Sequence, residues 1–415
     1  MSTAGIIAIC VLVALGFYVA WLAGKPETVA LVPEDCAKAL REHFPADTVE
    51  GNSLSTFTDF DSLVSAIEAD VAGAKSYVHL IFFKYEDDPV GRRLGNLLSR
   101  KAAEGVEVRL MYDDAVNKSR YPLYRDLRAA GLDVRGFGKM VIPFLRKKDN
   151  YRNHRKIVVV DGRVAYVGGM NIAERYGLGL GWGRWRDTQL RIEGPAAAAC
   201  ELAFATDWVH EDPSAAAVLS DARYYPEVPA SGSSKVEILC SGPIGEGPVI
   251  MDRICRMLDE SREYVWMESP YLIPTPQVRD SIIYAARRGV DVRLIIPPRG
   301  DRGVLTPLAT KAYVGPMLRE GVRIWLYDPG YMHSKTIVCD GRYATVGSTN
   351  IDSRSYLLDL EVNAFIDDPV YEASLKEIFL DDAARSSEID PAVWARRPLP
   401  EKAAESFAKL FSYQL

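Results

Sequence analysis

The sequence of 415 residues lacks any regular arrangement of cysteines. Its six cysteines contain no C-x-x-C pair and no framework of even spacing; they stand at positions 10, 36, 200, 240, 255 and 339. This excludes a disulfide-stapled domain and a cysteine-ligated zinc site, and favours buried thiols in reduced form. No zinc or calcium ligand spacing occurs either. We therefore predict no metal and no cofactor.

The sequence also lacks an excess of positive charge. Lysine and arginine total 50 against 56 aspartate and glutamate, a net charge of −6. General nucleic-acid binders usually present a clearly basic surface, so we expect no nucleic-acid partner. No low-complexity tract interrupts the chain, and 48% of its residues are hydrophobic. A length of this kind fits two globular domains.

Charge is absent from one long stretch at the N-terminus. Residues 5–23 are uncharged, and as a helix they would span about 28 Å, close to a bilayer core. A cleaved signal peptide is the alternative, but no basic residue precedes the run and no small-x-small cleavage site follows it. We predict a membrane anchor over 1–24 and a connector over 25–52. The nearby basic residues follow the span, which favours cytoplasmic catalytic domains.

Beyond the connector, short β-rich runs alternate with amphipathic segments. Residues 76–83 and 106–112 read as strands around a helix over 90–105. The second half repeats the first: EGVEVRLMYDD at 104–114 matches RGVDVRLIIPP at 288–298, and a Pro/Gly/Ser-rich stretch lies at 226–234. We predict an α/β fold with two tandem domains, 53–230 and 231–415, each a mixed β-sheet flanked by helices.

One motif occurs once in each half. Residues 153–171 read NHRKIVVVDGRVAYVGGMN and residues 332–350 read MHSKTIVCDGRYATVGSTN. Both satisfy H-x-K-x4-D-x6-G-(G/S)-x-N. Two such matches in equivalent places of a duplicated chain are not accidental, whereas a lone histidine is most often structural.

The motif has the composition of a phosphate site. The β-branched run after His154 predicts a strand, which places His154 and Lys156 on one face. An imidazole and an ammonium side by side favour a bound anion between them. His333 and Lys335 repeat the arrangement. We predict one centre where the halves meet, with phosphate held by Lys156, Lys335, Asn171 and Asn350.

Two pairs of acids accompany the motifs. Asp161 and Asp340, inside the motifs, are grouped with the catalytic residues and expected to fix local geometry rather than touch substrate. Asp187 and Glu361 become equivalent when DTQLRI at 187–192 is aligned with EVNAFI at 361–366. We predict that these two orient the histidines. The alternative is that both are ordinary surface carboxylates.

The paired motifs resemble those of the phospholipase D superfamily. Longer stretches resemble its bacterial cardiolipin synthase subgroup, notably those at 152–176, 185–196, 270–297 and 333–363. The resemblance implies a phosphatidyltransferase of the bacterial cell membrane. It would join two phosphatidylglycerol molecules into cardiolipin and glycerol, and phosphatidylethanolamine stays open as one partner. Hydrolysis of phospholipids is the alternative, and a nuclease is less favoured. The oligomeric state is not indicated.

The resemblance also implies a covalent mechanism. One histidine attacks phosphorus to give a phosphohistidine, and the other acts as acid and then base. We assign His154 as nucleophile and His333 as acid/base; the reverse order stays open.

Two further segments bear on membrane contact. The basic run over 140–156, which includes Arg152 and Arg155, predicts a patch that approaches anionic lipid, with a solvated loop as the alternative. The C-terminal segment 401–415 places Phe407, Leu410 and Phe411 on one helical face, which we expect to dock on the second domain; a membrane contact is the less favoured alternative.

Overall fold

The computed structural model describes residues 48–117, 121–139, 150–179, 183–245, 247–300 and 303–415. The predicted anchor and most of the connector lie outside these residues. So do residues 140–149 of the basic run. Among the helices that are described, none is long and apolar enough to cross a bilayer. None of the four described cysteines forms a disulfide.

The strands are mostly short and buried. They are β1 (Thr48–Phe57), β2 (Tyr77–Phe82), β3 (Glu107–Asp113), β4 (Asp133–Phe137), β5 (Arg152–Asn153), β6 (Lys156–Val160), β7 (Val164–Gly168), β8 (Trp185–Arg186), β9 (Gln189–Glu193), β10 (Ser234–Ser241), β11 (Tyr264–Glu268), β12 (Leu272–Ile273), β13 (Asp291–Ile296), β14 (Arg323–Tyr327), β15 (Tyr331–Met332), β16 (Thr336–Cys339), β17 (Tyr343–Gly347), β18 (Ile351–Asp352), β19 (Asp359–Asp367) and β20 (Ser386–Glu388).

The described helices alternate with these strands. They are α1 (Phe60–Gly73), α2 (Pro89–Ala103), α3 (Pro122–Ala129), α4 (Arg175–Leu178), α5 (Ala197–Glu211), α6 (Ala216–Leu219), α7 (Val249–Glu260), α8 (Pro276–Arg287), α9 (Leu305–Arg319), α10 (Ser353–Leu357), α11 (Pro369–Ala384), α12 (Pro391–Ala395) and α13 (Leu399–Lys409).

Local sequence explains where the elements begin and end. Asp88 caps α2 by accepting the backbone N–H of Gly91, and Pro89 occupies the first turn, where its missing N–H costs nothing. Gly105 has a φ of 92°, which allows the chain to turn from α2 into β3. Strand β2 is buried on both faces, as its apolar run predicts for a parallel pairing with β3.

The two halves have the same topology. In the first half β2, β3 and β4 are parallel, and β6, β7, β9 and β1 continue the sheet antiparallel. The second half repeats this with β11, β13 and β14, then β16, β17, β19 and β10. The prediction of a mixed α/β fold repeated in tandem is confirmed.

The two sheets are joined into one. Strand β1 pairs with β9 of its own half and with β10 of the other half, giving a single 16-stranded sheet. Because β1 begins at Thr48, the sheet starts inside the segment predicted as connector. The domain boundaries at 53 and 231 stay a prediction. One hydrophobic core takes residues from both halves, including Trp208 of α5 and Phe379 of α11.

The C-terminal helix differs from its prediction. It does pack on the second half, where Ala408 is buried in the core. The prediction that Phe407 and Leu410 dock on this half is wrong, however, because Phe407 is 49% exposed and Leu410 75% exposed. A helical pattern shows which residues share a face, but not which way that face points.

Candidate active site

The first histidine is positioned by a strand from the other half of the chain. Residues Arg152–Asn153 of β5 pair in parallel with Asp359–Leu360 at the start of β19. The backbone N–H of His154 then donates to the carbonyl of Leu360 at 2.9 Å. Since Glu361 is the next residue of β19, its carboxylate lies beside the His154 ring.

The second histidine repeats this arrangement. Strand β15 pairs in parallel with β8, and the N–H of His333 donates to the carbonyl of Arg186 at 2.7 Å. The next residue, Asp187, therefore lies beside the His333 ring. Each histidine thus meets the acid of the opposite half.

The pairs are short and buried. His154 Nδ1 lies 2.9 Å from Glu361 Oε1 and 3.1 Å from Oε2. His333 Nδ1 lies 2.6 Å from Asp187 Oδ2. The side chains of the two acids are at most 1% exposed. The alternative of ordinary surface carboxylates is therefore wrong.

The G-(G/S) step of the motif differs between the halves because the two acids differ in length. A Cβ at Gly169 would lie 2.1 Å from Asp187 Oδ1, so this position has no room for a side chain. The equivalent Ser348 donates its hydroxyl to Glu361 Oε2. A glycine accommodates the shorter acid, and a serine holds the longer one.

Both motif lysines fold back towards their histidines. Lys156 Nζ donates to the carbonyl of His154 at 2.5 Å and lies 5.3 Å from the centroid of the Phe83 ring. Lys335 Nζ donates to the carbonyl of His333 and lies 2.9 Å from its Nδ1. In each half the lysine ammonium is therefore held beside the histidine two residues before it.

The two asparagines have different surroundings. Asn171 accepts the N–H of Lys84 at 2.9 Å and donates to the hydroxyl of Tyr176 at 2.5 Å. The side-chain oxygen of Asn350 is buried without a hydrogen-bond partner among the described residues. Both side chains are buried near the motif strands, and only Asn171 is occupied on both sides of its amide by protein.

Asp161 and Asp340 lie at the other ends of the motif strands. Each is the first residue of an Asp-Gly turn with positive φ, 52° at Asp161 and 51° at Asp340, as a tight hairpin requires. Asp161 accepts three backbone N–H groups, from Lys75, Ser76 and Tyr77, at 2.8–2.9 Å. Asp340 does the same for 262–264.

This placement corrects their inclusion among the catalytic residues. Asp161 lies five positions beyond Lys156 along the strand direction, which corresponds to about 16 Å. A carboxylate at that distance cannot touch a phosphate held by the histidines. The expectation that these acids fix local geometry agrees with their contacts.

The two acids beside the histidines have pKa values displaced in opposite directions. Burial would raise the pKa of Asp187, but the nearby charges of Lys335 and His333 outweigh it, so the pKa lies below its ordinary value. Burial raises the pKa of Glu361 to about 8, against the opposing effect of Lys156 and with the nearby Asp359 adding to it. At neutral pH Asp187 is ionised, while Glu361 largely retains a proton.

Buried arginines form a layer behind the histidines that the sequence did not predict. Arg155 donates to Asp207 at 2.5 Å and to the carbonyl of Glu361 at 3.0 Å. Arg186 pairs with Asp382 at 2.6 Å and donates to the carbonyl of Asp187 at 2.7 Å. Each arginine is adjacent in sequence to a residue of the site, and this adjacency is the signal by which the arginines could have been found.

The buried arginines also correct the predicted basic patch. Arg155 is fully buried, and Arg152 is 6% exposed and lies 3.4 Å from Asp113 Oδ1. Neither can contact a lipid surface, because both charges are enclosed in protein. Lys156 of the same run is buried as well, and the basic residues 146–148 lie outside the described residues.

Aromatic rings line one side of the site. Trp185, Tyr176 and Tyr331 surround His333 with ring centroids 4.8, 5.8 and 6.0 Å from the imidazole. His154 contacts the ring of Phe83, with the two ring centroids 4.7 Å apart. Over the described ranges, no group of three or more His, Cys, Asp or Glu side chains is arranged to hold a metal ion.

The displaced pKa of Glu361 predicts how stability changes with pH. The ordinary carboxyl of the unfolded chain ionises near pH 4.5 and the folded one near 8. Between these values the folded chain binds the extra proton, so stability is greatest below 4.5 and is lost as pH rises to 8. Relative to Glu361→Gln, wild-type stability should fall by about 1 kcal/mol per pH unit across this window.

Thermal midpoints of both proteins in one mild detergent, at pH 5, 6, 7 and 8, test this expectation. The difference between the two midpoints should shift steadily against the wild type. A difference that stays constant would mean that Glu361 is ionised in the folded chain throughout the range.

Fold and site together define a double-histidine enzyme built from two similar halves. The family model described as "Cardiolipin synthase, PLD-like domain" matches residues 67–208 and 254–383. A cardiolipin synthase of Listeria monocytogenes serotype 4a is 36% identical over 365 residues, covering 88% of this chain and 75% of the relative. One from Staphylococcus aureus strain Mu50 is 38% identical over 363 residues, covering 87% and 73%. The chain belongs to the cardiolipin synthase family of PLD-like proteins.

A solved structure shares the fold at low sequence identity. The crystal structure of phosphatidylserine synthase from Haemophilus influenzae Rd KW20 superposes with a TM-score of 0.68 at 14% identity. The match covers 92% of this chain and 100% of the other. The tandem architecture is therefore common to both proteins.

Proposed function

We propose that this enzyme transfers a phosphatidyl group from one phosphatidylglycerol to a second, releasing glycerol and forming cardiolipin. The observation that carries the proposal is the crossed pairing of His154 with Glu361 and of His333 with Asp187. Each pairing crosses from one half to the other, which supports a single site where the halves meet. Membership of the cardiolipin synthase family supports the choice of lipid.

In the first step Nε2 of His154 attacks the phosphorus of the donor lipid. The bond from phosphorus to the oxygen of the glycerol headgroup breaks, and this oxygen takes a proton from His333. Glycerol leaves, and the phosphatidyl group stays on His154. In the second step His333 removes the proton from a headgroup hydroxyl of the second phosphatidylglycerol. That oxygen attacks phosphorus, and His154 is released.

The different states of the two acids support this order of roles. An ionised carboxylate stabilises an imidazolium more strongly than a protonated one does. Asp187, with its lowered pKa, therefore favours a protonated His333 that can donate. Glu361, whose pKa is raised, stabilises an imidazolium less and so favours a neutral His154. With the Nδ1 proton directed at Glu361, the lone pair that attacks phosphorus lies on Nε2.

The lysines supply the positive charge that the phosphate oxygens need. Lys156 and Lys335 are buried beside the histidines, where a charge interacts more strongly than in water. We propose that Asn350, whose buried side-chain oxygen lacks a partner among the described residues, turns its amide towards the same phosphate. Asn171 has the equivalent place in the first motif.

We further propose that the enzyme is held at the bacterial cell membrane. The uncharged run 5–23 would anchor it by a single pass, with the catalytic halves on the cytoplasmic side. Its partners would be anionic phospholipids, with phosphatidylethanolamine as the alternative for one of the two lipids. We also propose that the two domains divide between residues 230 and 231.

Expression in a bacterial host that lacks cardiolipin, followed by lipid mass spectrometry, tests the reaction. Wild-type enzyme and the control His210→Ala, altered outside the site, should produce cardiolipin, whereas His154→Ala should give none above background. Phosphatidic acid appearing in place of cardiolipin would establish the alternative, a phospholipase that transfers to water.

A further inference from the structure

The C-terminal helix α13 exposes its apolar side to solvent and buries a charged residue against the protein. Its exposed side carries Leu399, Phe407 and Leu410, which are 79%, 49% and 75% exposed. Its buried side includes the carboxylate of Glu405 along with Ala408. A surface helix normally directs its apolar stripe into the core. Here the apolar stripe points away from the protein.

The exposed residues form one continuous stripe. At 100° per residue, positions 399, 403, 407 and 410 fall within about 80° of one another. Ala403 is also exposed, so the stripe is apolar from end to end. Eleven residues give it a length of about 16 Å.

Positive charge flanks this stripe. A cleft of about 430 Å³ lies between α13, α9 and α12, and its described lining contains five basic side chains and one carboxylate. The basic residues are Lys311, Arg319, Arg397, Lys402 and Lys409. The carboxylate, Glu405, is neutralised by Arg397 at 2.5 Å. The cleft beside the stripe is therefore net positive, while the helix also carries one exposed carboxylate, Glu401.

The residues that follow the stripe contact the segment that enters the active site. Gln414, four residues beyond Leu410, accepts a hydrogen bond from Asn150 at 2.8 Å. Asn150 is bound in turn by Arg354, which pairs with Asp359 at 3.0 Å. Asp359 begins β19, two residues before Glu361. A surface in contact with α13 would thus be close to the chain leading into His154.

We propose that α13 docks on the surface of an anionic lipid bilayer, with its apolar stripe in the interface and its basic residues against the headgroups. An apolar face with flanking lysines is the composition of an interfacial helix, and the net positive surroundings select anionic lipid. The inference rests on the proposed function for its choice of a membrane substrate. It adds a second contact that orients the catalytic halves on the membrane.

A second copy of the chain is the other occupant to consider. A helix of this length and about 10 Å width offers on the order of 160 Å². A stable protein interface needs about 800 Å² from each partner. The stripe alone is too small for a dimer, whereas partial insertion into lipid needs no such area.

Hydrogen exchange of the full chain carrying His154→Ala, measured in lipid nanodiscs, follows docking without turnover of the lipid. Amides of 399–411 should exchange about fivefold more slowly in nanodiscs containing phosphatidylglycerol than in phosphatidylcholine alone. The start of α11, where Val370 is 80% exposed, should be unchanged. Equal exchange in both lipids would overturn the proposal. Protection that depends on protein concentration and not on lipid would assign the stripe to a second copy.

Activity on two physical forms of substrate gives an independent test. The variant Leu399→Ser/Phe407→Ser/Leu410→Ser should lose roughly tenfold in rate on phosphatidylglycerol vesicles. It should change less than twofold on short-chain phosphatidylglycerol dispersed as monomers. The matched control Val370→Ser/Tyr284→Ser, altered at exposed positions outside the stripe, should behave as wild type on both.

An equal loss on vesicles and monomers would mean that the stripe acts through the fold, and the docking proposal would fail. If the wild type made no cardiolipin on any substrate, the proposed function would fail instead. The exchange measurement would still decide whether α13 docks, because it requires no reaction.

Discussion

Replacing His333 with alanine should lower the rate of cardiolipin formation by about 10⁴-fold, yet leave the attack of His154 on phosphorus intact. The leaving glycerol oxygen needs a proton, and the variant has no acid to supply it. A phosphatidyl ester of p-nitrophenol needs none, because p-nitrophenolate is stable in water. On that ester, His333→Ala should release one equivalent of p-nitrophenolate per active site and then stall. The stall arises because no base remains to activate the acceptor alcohol.

Absorbance at early times measures this burst, and peptide mass spectrometry locates the phosphatidyl group. It should reside on the peptide that contains His154. The variant His154→Ala should show no burst, and the control His210→Ala should turn over the ester normally. A burst in His154→Ala with the group on His333 would reverse the assignment of nucleophile and acid.

The strands around the motifs could be predicted because their signals are local. The apolar run after His154 predicts a strand, and β6 begins two residues later at Lys156. The repeat between halves predicts equivalent elements, which the topology confirms. Asp187 and Glu361 could be found because each follows its motif at a matching place in the repeat.

The crossed pairing could not be predicted in the same way. It depends on β5 with β19 and on β15 with β8, pairings in which two residues of one half meet two of the other. Two-residue strands carry no periodicity, and nothing local selects a partner more than 140 positions away. The arginines behind the histidines share this difficulty, since a buried ion pair has the same composition as an exposed one.

The join between the sheets was missed for a different reason. Strand β1 is only half buried and contains Gly51 at a positive φ of 87°, features that resemble a loop. Its pairing register shifts between Val49 and Asn52 as it passes from β10 towards β9. A strand stabilised mainly by neighbours on both sides leaves little trace in its own sequence.

The two acids beside the histidines should differ in their importance for catalysis. Asp187→Asn should lower kcat/KM for phosphatidylglycerol by about 10³-fold. Asp187 is ionised and lies 2.6 Å from His333 Nδ1, so it stabilises the protonated ring that donates to glycerol. An asparagine carries no charge, and its amide can present an N–H that favours the wrong tautomer. Glu361→Gln should cost no more than about tenfold, because a residue with a pKa of about 8 is already largely neutral at pH 7.

The leaving group separates this role from general loss of structure. On the p-nitrophenyl ester, which needs no acid, the release step in Asp187→Asn should recover to within about tenfold of wild type. A merely unfolded or distorted site would fail on both substrates. If Glu361→Gln instead proved the more damaging change with glycerol as leaving group and the milder one with p-nitrophenol, His154 would be the acid. That outcome would require an ionised Glu361 beside a protonated His154. The charges of Lys335 and His333 favour ionisation of Asp187 instead.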